Sequence, residues 1–139
     1  MKKFARIVGT GSYLPPRIIT NSELENSLDT TDKWITSRTG IKERRIVEDQ
    51  NTCDLALEAS INALKMAELK ASEIDLIILA TTTPDKIFPA TATTLQNLIG
   101  ASCPAFDIQA VCAGFVFALT TAQQYIENGV AKNILVVGS

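Results

Sequence analysis

Residues 106–129 read FDIQAVCAGFVFALTTAQQYIENG, and the change of character inside this stretch decides the fold. Its opening belongs to a strand-like segment, CPAFDIQA, and from Cys112 to Asn128 the pattern is that of a helix closed by Gly129. Working outward, IDLIILATTT (residues 74–83) is a continuous apolar run bounded by polar residues, the mark of a strand covered on both faces. Downstream, AKNILVVGS is a further buried-type strand. Strands that alternate with helices imply a layered α/β fold with a mostly parallel sheet and right-handed crossovers.

The remaining segments fit that alternation. TCDLALEASINALKMAEL (52–69) is an amphipathic helix, with Thr52 expected as N-cap and Asp54 in the first turn. ATATTLQNLIG is a helix with Pro89 just ahead of it and Gly100 after it. TNSELENSL and TTDKWITSRTG read as short helices, the second stopped by Gly40. IKERRIV is a strand or hairpin arm, and FARIVGTGSYL a strand ending in a glycine turn. No internal repeat, linker or low-complexity segment interrupts residues 1–139, which read as a single domain.

Bulk properties exclude several function classes. With 139 residues, 46% of them apolar and 20% charged, the chain is long enough to bury a core and too apolar to be disordered. Its net charge of −2 gives neither a nucleic-acid footprint nor a polybasic membrane patch. The apolar run before Gly9 is too short for a signal peptide, and no run of about 18 apolar residues forms a membrane span. Three cysteines without a CxxC motif fit a reducing, cytoplasmic setting and suggest no metal site. Histidine is absent. The chain stops on NILVVGS, a core-type strand, so it is expected either to end at a sheet edge or to be the front portion of a longer protein; the second is the expectation carried forward.

Cys112 has two readings. A cysteine between Val111 and Ala113 is ordinarily core filler, because free cysteine is among the most buried residues. Yet the N-terminus of the following helix carries partial positive charge, which favours a thiolate there. The same N–H groups would hold the oxyanion formed when sulfur attacks a carbonyl. Ala113 and Gly114 leave room for a substrate, and the helix is apolar nearly all round, so it is expected to be buried. Position alone does not choose between the readings.

Four motifs in one order do. GTGSYLP, DTTDKWITSRTGIKERR, ATTTPDKIFPATA and CPAFDIQAVCAGF together resemble β-ketoacyl-acyl carrier protein synthase III, an initiating condensing enzyme of the thiolase superfamily. The resemblance runs from about Ala5 to Ser139 and is to the N-terminal half of that family. It implies a thiolase-like fold in which Cys112 takes an acetyl group from acetyl-CoA as a thioester. Trp34 matches the residue that stacks on the CoA adenine, and Thr30 and Arg38 match polar groups at the nucleotide end. Their spacing of four places all three on one face of a helix, if a helix covers them. Without the family, Trp34 and Arg38 would read as a cation–π surface pair. Thr82 and Phe88 match positions that reach across a homodimer to line the partner's acyl pocket, whereas Cys53 and Cys103 match nothing catalytic and read as core.

The resemblance also implies an Asn and a His for decarboxylating malonyl-acyl carrier protein, both in a C-terminal half that these residues do not include. The expected reaction of the whole enzyme is acetyl-CoA plus malonyl-acyl carrier protein giving acetoacetyl-acyl carrier protein, CoA and CO2. Acetyl-CoA is then a substrate, and no cofactor is expected. The expected partners are acyl carrier protein and a second copy of the enzyme. Two alternatives stand beside this: a related enzyme priming polyketide or branched-chain synthesis, and a non-catalytic module that binds CoA or another protein with Cys112 inert.

Overall fold

The computed structural model describes residues 4–139, which divide into two compact units. The larger comprises residues 4–13 with Asn51–Ser139, and the smaller is Leu14–Gln50.

In the larger unit, β3 (Leu76–Ala80) is the centre of a parallel three-stranded sheet, flanked by β4 (Ala105–Ile108) and β5 (Ile134–Gly138). Ile78 pairs with Phe106 on one side and Val136 on the other. Every residue of β3 is buried, as its unbroken apolar run requires. Because side chains alternate across a strand, Ile77 and Leu79 enter one core and Leu76, Ile78 and Ala80 another. The first core is closed by α3 (Thr52–Ala67) and α4 (Thr91–Ile99) through Cys53, Ala56, Ala92 and Leu95; Cys103, Leu135 and Val137 complete it. The second is closed by α5 (Gly114–Glu127) through Ala118 and Ala122. Burying one such Ile or Leu side chain contributes about 1.5–3 kcal/mol. Helices on both faces of a parallel sheet bear out the layered α/β reading.

Helix α5 seats closely because Gly114, Ala118 and Ala122, spaced by four, form its buried stripe. A Cβ on Gly114 would stand 3.3 Å from the Ala80 Cβ. Its other sides are not buried: Phe115 is 45%, Val116 61% and Phe117 53% exposed. The first turns of the helix are apolar all round, as the sequence says, but only the small-residue stripe is fully buried, with Tyr125 partly buried against the same core.

Three aspartates fasten the connections. Asp85 accepts from the N–H groups of Thr52 and Cys53 at 2.8 and 3.0 Å, holding the start of α3. Asp107 does the same for α4 through Thr91 and Ala92, at 2.8 and 2.7 Å. The N-cap of α3 is Asn51, one residue earlier than expected, and the Asp54 carboxylate accepts from the Asn51 N–H at 2.8 Å. Thr52 is already helical, and its hydroxyl donates to the Thr83 carbonyl at 2.6 Å instead.

Asp75 accepts from the N–H groups of Lys132 and Asn133 at 2.7 and 2.9 Å, fixing the turn into β5. Those two donors hold its carboxyl below the ordinary 3.8. A depressed folded value contributes stability above the unfolded value, and this is lost as pH falls through the folded one. Asp75→Asn should therefore lower the melting temperature at pH 7 by about 4 °C, the equivalent of about 1 kcal/mol after allowance for solvent screening. The deficit should close as pH falls through the folded value; thermal melts in which it stays the same at every pH down to acid unfolding would count against this role.

The opening segment departs from expectation. Residues 4–13 form no strand; they run as irregular backbone against α3. A Cβ on Gly9 would stand 2.6 Å from the Ala63 carbonyl oxygen, and one on Gly11 even closer to that of Ala59. The glycines thus serve close approach to a helix rather than a turn. Phe4 and Ile7 are 71% and 70% exposed, so in this chain no apolar burial rewards a strand here.

The smaller unit is built on an antiparallel pair, β1 (Arg17–Thr20) with β2 (Glu43–Ile46), in register Arg17↔Ile46 to Thr20↔Glu43. Between them lie α1 (Asn21–Glu25) and α2 (Asp32–Thr39). The Thr31 hydroxyl caps α2 by accepting from the Trp34 N–H at 3.1 Å, and Gly40, at φ 72°, ends it as expected. Strand β1 has no counterpart in the sequence reading, since RIIT is short and lies mostly exposed.

Candidate active site

Strand β4 ends at Ile108, and a single 3₁₀ turn, Val111–Ala113, leads into α5 at Gly114. Cys112 sits in that turn rather than as the first residue of the α-helix. The turn is closed by the Ala113 N–H donating to the Ala110 carbonyl at 3.0 Å. Val111 adopts φ 48°, a left-handed conformation that a β-branched residue rarely takes and that is recurrently found at functional turns. No side chain caps the N–H groups at the start of α5 among the described residues, and its first turn holds no acidic side chain. The Gly114 N–H donates to the Val111 carbonyl, so the turn is held by backbone alone and the positive end of α5 lies just after Cys112 in the chain.

Exposure separates the three cysteines. Cys112 is exposed, whereas Cys53 and Cys103 are buried, which bears out their reading as core and overturns core filler as the reading of Cys112. Burial, reinforced by Asp85, Asp54 and Asp107, pushes the Cys53 thiol up to about 11. Burial also pushes the Cys103 thiol up.

Thr82 and Phe88 belong to the loop that joins β3 to α4. Its base is tied down through Thr83 and Asp85, and its tip projects: Ile87 and Phe88 are fully or almost fully exposed. This loop and the Cys112 turn leave the C-terminal ends of the adjacent parallel strands β3 and β4, linked there by the Thr81 N–H donating to the Ile108 carbonyl at 3.2 Å. The C-terminal ends of parallel strands are where α/β sheets place their ligands.

Trp34 and Arg38 lie in the smaller unit, one turn apart on α2, with the Arg38 guanidinium 4.8 Å from the centre of the indole ring. Both are exposed. Thr30 does not share their helical face: it lies ahead of the N-cap, in a turn where its N–H donates to the Leu28 carbonyl at 2.9 Å. Its hydroxyl oxygen is buried and has no hydrogen-bond partner among the described residues. Three residues that organise these elements escaped sequence reading: Asp85, Asp107 and Asn21. No local signal marks the aspartates: Asp85 stands 33 residues after the helix start it holds, and Asp107 lies within β4, 16 residues after Thr91.

Comparison with known proteins follows the same pattern. The family described as 3-oxoacyl-[acyl-carrier-protein (ACP)] synthase III matches residues 106–139, the stretch from β4 to β5 that carries Cys112. All 139 residues align at 64% identity with a β-ketoacyl-[acyl-carrier-protein] synthase III of Vesicomyosocius okutanii, covering 44% of that protein. The chain is similar along its whole length to part of the β-ketoacyl-[acyl-carrier-protein] synthase III proteins. The crystal structure of the 3-oxoacyl-[acyl-carrier-protein] synthase III from Aquifex aeolicus superposes with a TM-score of 0.94 at 48% identity, over 100% of this chain and 44% of that one. The priming β-ketosynthase of the R1128 polyketide biosynthetic pathway superposes with a TM-score of 0.91 at 37% identity, over 94% of this chain and 40% of that one. The thiolase-like α/β fold is thereby established, and the chain spans less than half the length of the proteins it matches. Among the described residues no helix is long and apolar enough to cross a membrane.

Proposed function

We propose that the protein containing this chain is the initiating condensing enzyme of fatty-acid synthesis, and that these residues carry its acyl-transfer step. The reaction joins acetyl-CoA and malonyl-acyl carrier protein to give acetoacetyl-acyl carrier protein, CoA and CO2. The Cys112 thiolate attacks the thioester carbonyl of acetyl-CoA, the carbonyl oxygen becomes an oxyanion facing the N–H groups at the start of α5, and the C–S bond to CoA then breaks. The acetyl group remains on Cys112, and the CoA thiolate leaves and takes up a proton. Trp34 stacks on the adenine, and Arg38 with Thr30 holds the phosphate-bearing end. Thr82 and Phe88 reach the acyl pocket of a second copy in a cytoplasmic homodimer. No cofactor or metal is needed. Decarboxylation and condensation require an imidazole, and the 139 residues contain no histidine, so they support acylation alone.

One observation carries this reading: of three cysteines, only Cys112 is exposed, and it stands in the turn ahead of α5. A second reading, a related enzyme that takes a different primer, is favoured by the likeness to the R1128 priming ketosynthase. Incubation with labelled acetyl-CoA, digestion and peptide mapping should place the label on Cys112 and nowhere else. Label on Cys53 or Cys103, or none from any acyl-CoA, would refute the proposal. Preferential labelling by a longer or branched acyl-CoA selects the second reading.

A further inference from the structure

We propose that Asn21 is the positioning residue that sets the pose of the Trp34–Arg38 pair, an inference that rests on the reading of that pair as the nucleotide site for acyl-CoA. Helix α2 has little apolar anchorage, since Ile35 is its one buried residue. Its orientation must come from polar contacts, and these converge on one side chain. Asn21 is 1% exposed. Its Nδ2 donates to the Asp32 carboxylate at 2.8 Å and to the Ile41 carbonyl at 2.7 Å, with the Thr36 hydroxyl at 3.3 Å. Its Oδ1 accepts from the Arg44 guanidinium at 2.8 Å, and its backbone N–H donates to the Lys42 carbonyl at 3.1 Å. One amide thus ties the start of α1 to α2, to the segment after it, and to β2.

The helical geometry decides what this hub does. At about 100° per residue, Asp32 and Thr36 share one side of α2, and Trp34 and Arg38 lie roughly 200° round from them, on the opposite side. The Thr36 hydroxyl also donates to Asp32 at 3.1 Å, so the clamped side is internally braced. Fixing that side fixes the direction in which the indole and guanidinium face solvent. A buried amide with both donors and its acceptor engaged allows few alternative arrangements, which is what a pre-organised binding face requires.

The chain contains a single tryptophan, so Trp34 emission reports on the site directly. Coenzyme A is titrated against the wild-type chain, against Asn21→Asp, and against the exchanged pair Asn21→Asp with Asp32→Asn, all well below their melting transitions. Asn21→Asp sets a carboxylate against Asp32 and should weaken coenzyme A binding about tenfold; the exchange restores a donor between positions 21 and 32 and should recover most of that loss. A residue that only stabilised the fold would move the melting temperature and leave the affinity of the folded protein unchanged. If the wild type binds coenzyme A and Asn21→Asp binds it equally well, the positioning role is overturned alone. If the wild type gives no response, the nucleotide reading falls, and the inference with it. Should Asn21→Asp fail to fold, Thr36→Val carries the test: a threefold loss supports the role, and unchanged affinity overturns it.

Discussion

Iodoacetamide is expected to label Cys112 at least about 100-fold faster than Cys53 in the folded protein. Moving a thiol from its ordinary 9.0 to about 11, as burial and three nearby carboxylates do for Cys53, lowers its thiolate fraction about 100-fold, and only the thiolate reacts. Burial adds a steric barrier on top, and it raises the Cys103 thiol by the same mechanism. Cys112 is open to the reagent in the turn just ahead of α5. In denaturant the three rates should converge, because burial and the neighbouring carboxylates are then gone. Quenched time points with peptide mapping give all three rates in one experiment. Folded-state labelling of Cys53 or Cys103 that keeps pace with Cys112 would remove the distinction on which the catalytic assignment rests.

That experiment depends on a feature the sequence announced only in part. FDIQAVCAGF shows that a cysteine stands between a strand and a helix, and the structure places it there. The 3₁₀ turn and the left-handed Val111 are not legible, because nothing in a valine signals a conformation that its side chain disfavours. Where local patterns dominate, the reading held: the five apolar residues of β3 are all buried, and Gly40 and Gly100 end α2 and α4 in left-handed conformations. It failed where partners distant in sequence decide the outcome. FARIVGTG has strand composition, yet Gly9 and Gly11 lie against α3, more than 40 residues further along the chain. RIIT pairs with a segment that two short helices separate from it.

The candidate site shows the same division. The Trp34–Arg38 spacing implies a shared helical face, and α2 supplies it; Thr30, four residues earlier, falls outside because the Thr31 cap starts the helix after it. Capping competition is decided by which of two adjacent threonines reaches the Trp34 N–H, and the pattern TT does not record that. Asn21 was passed over for a related reason. Its partners lie 11, 15, 20 and 23 residues away, and an asparagine at a helix start normally reads as a surface cap.

Trp34→Ala should raise the KM for acetyl-CoA in acyl transfer to Cys112 by roughly 5- to 150-fold and leave kcat little changed. The range corresponds to one stacked base, about 1–3 kcal/mol. The kinetic form follows from the chemistry: the adenine is remote from the reacting thioester, so its contact is equal in ground and transition states, and losing it costs binding alone. Arg38 stands 4.8 Å from the indole centre and Trp34 is 53% exposed, so a ring already accompanied by a cation is accessible to a base. A cation also suits the phosphates that accompany that base. Trp34→Phe keeps an aromatic plane and should recover most of the lost affinity, which separates stacking from a general disturbance of α2. An ordinary surface cation–π pair, by contrast, is worth about 0.5–1 kcal/mol of stability and nothing in KM. If Trp34→Ala lowers kcat at unchanged KM, or only lowers the melting temperature, the pair is structural and the nucleotide must bind elsewhere.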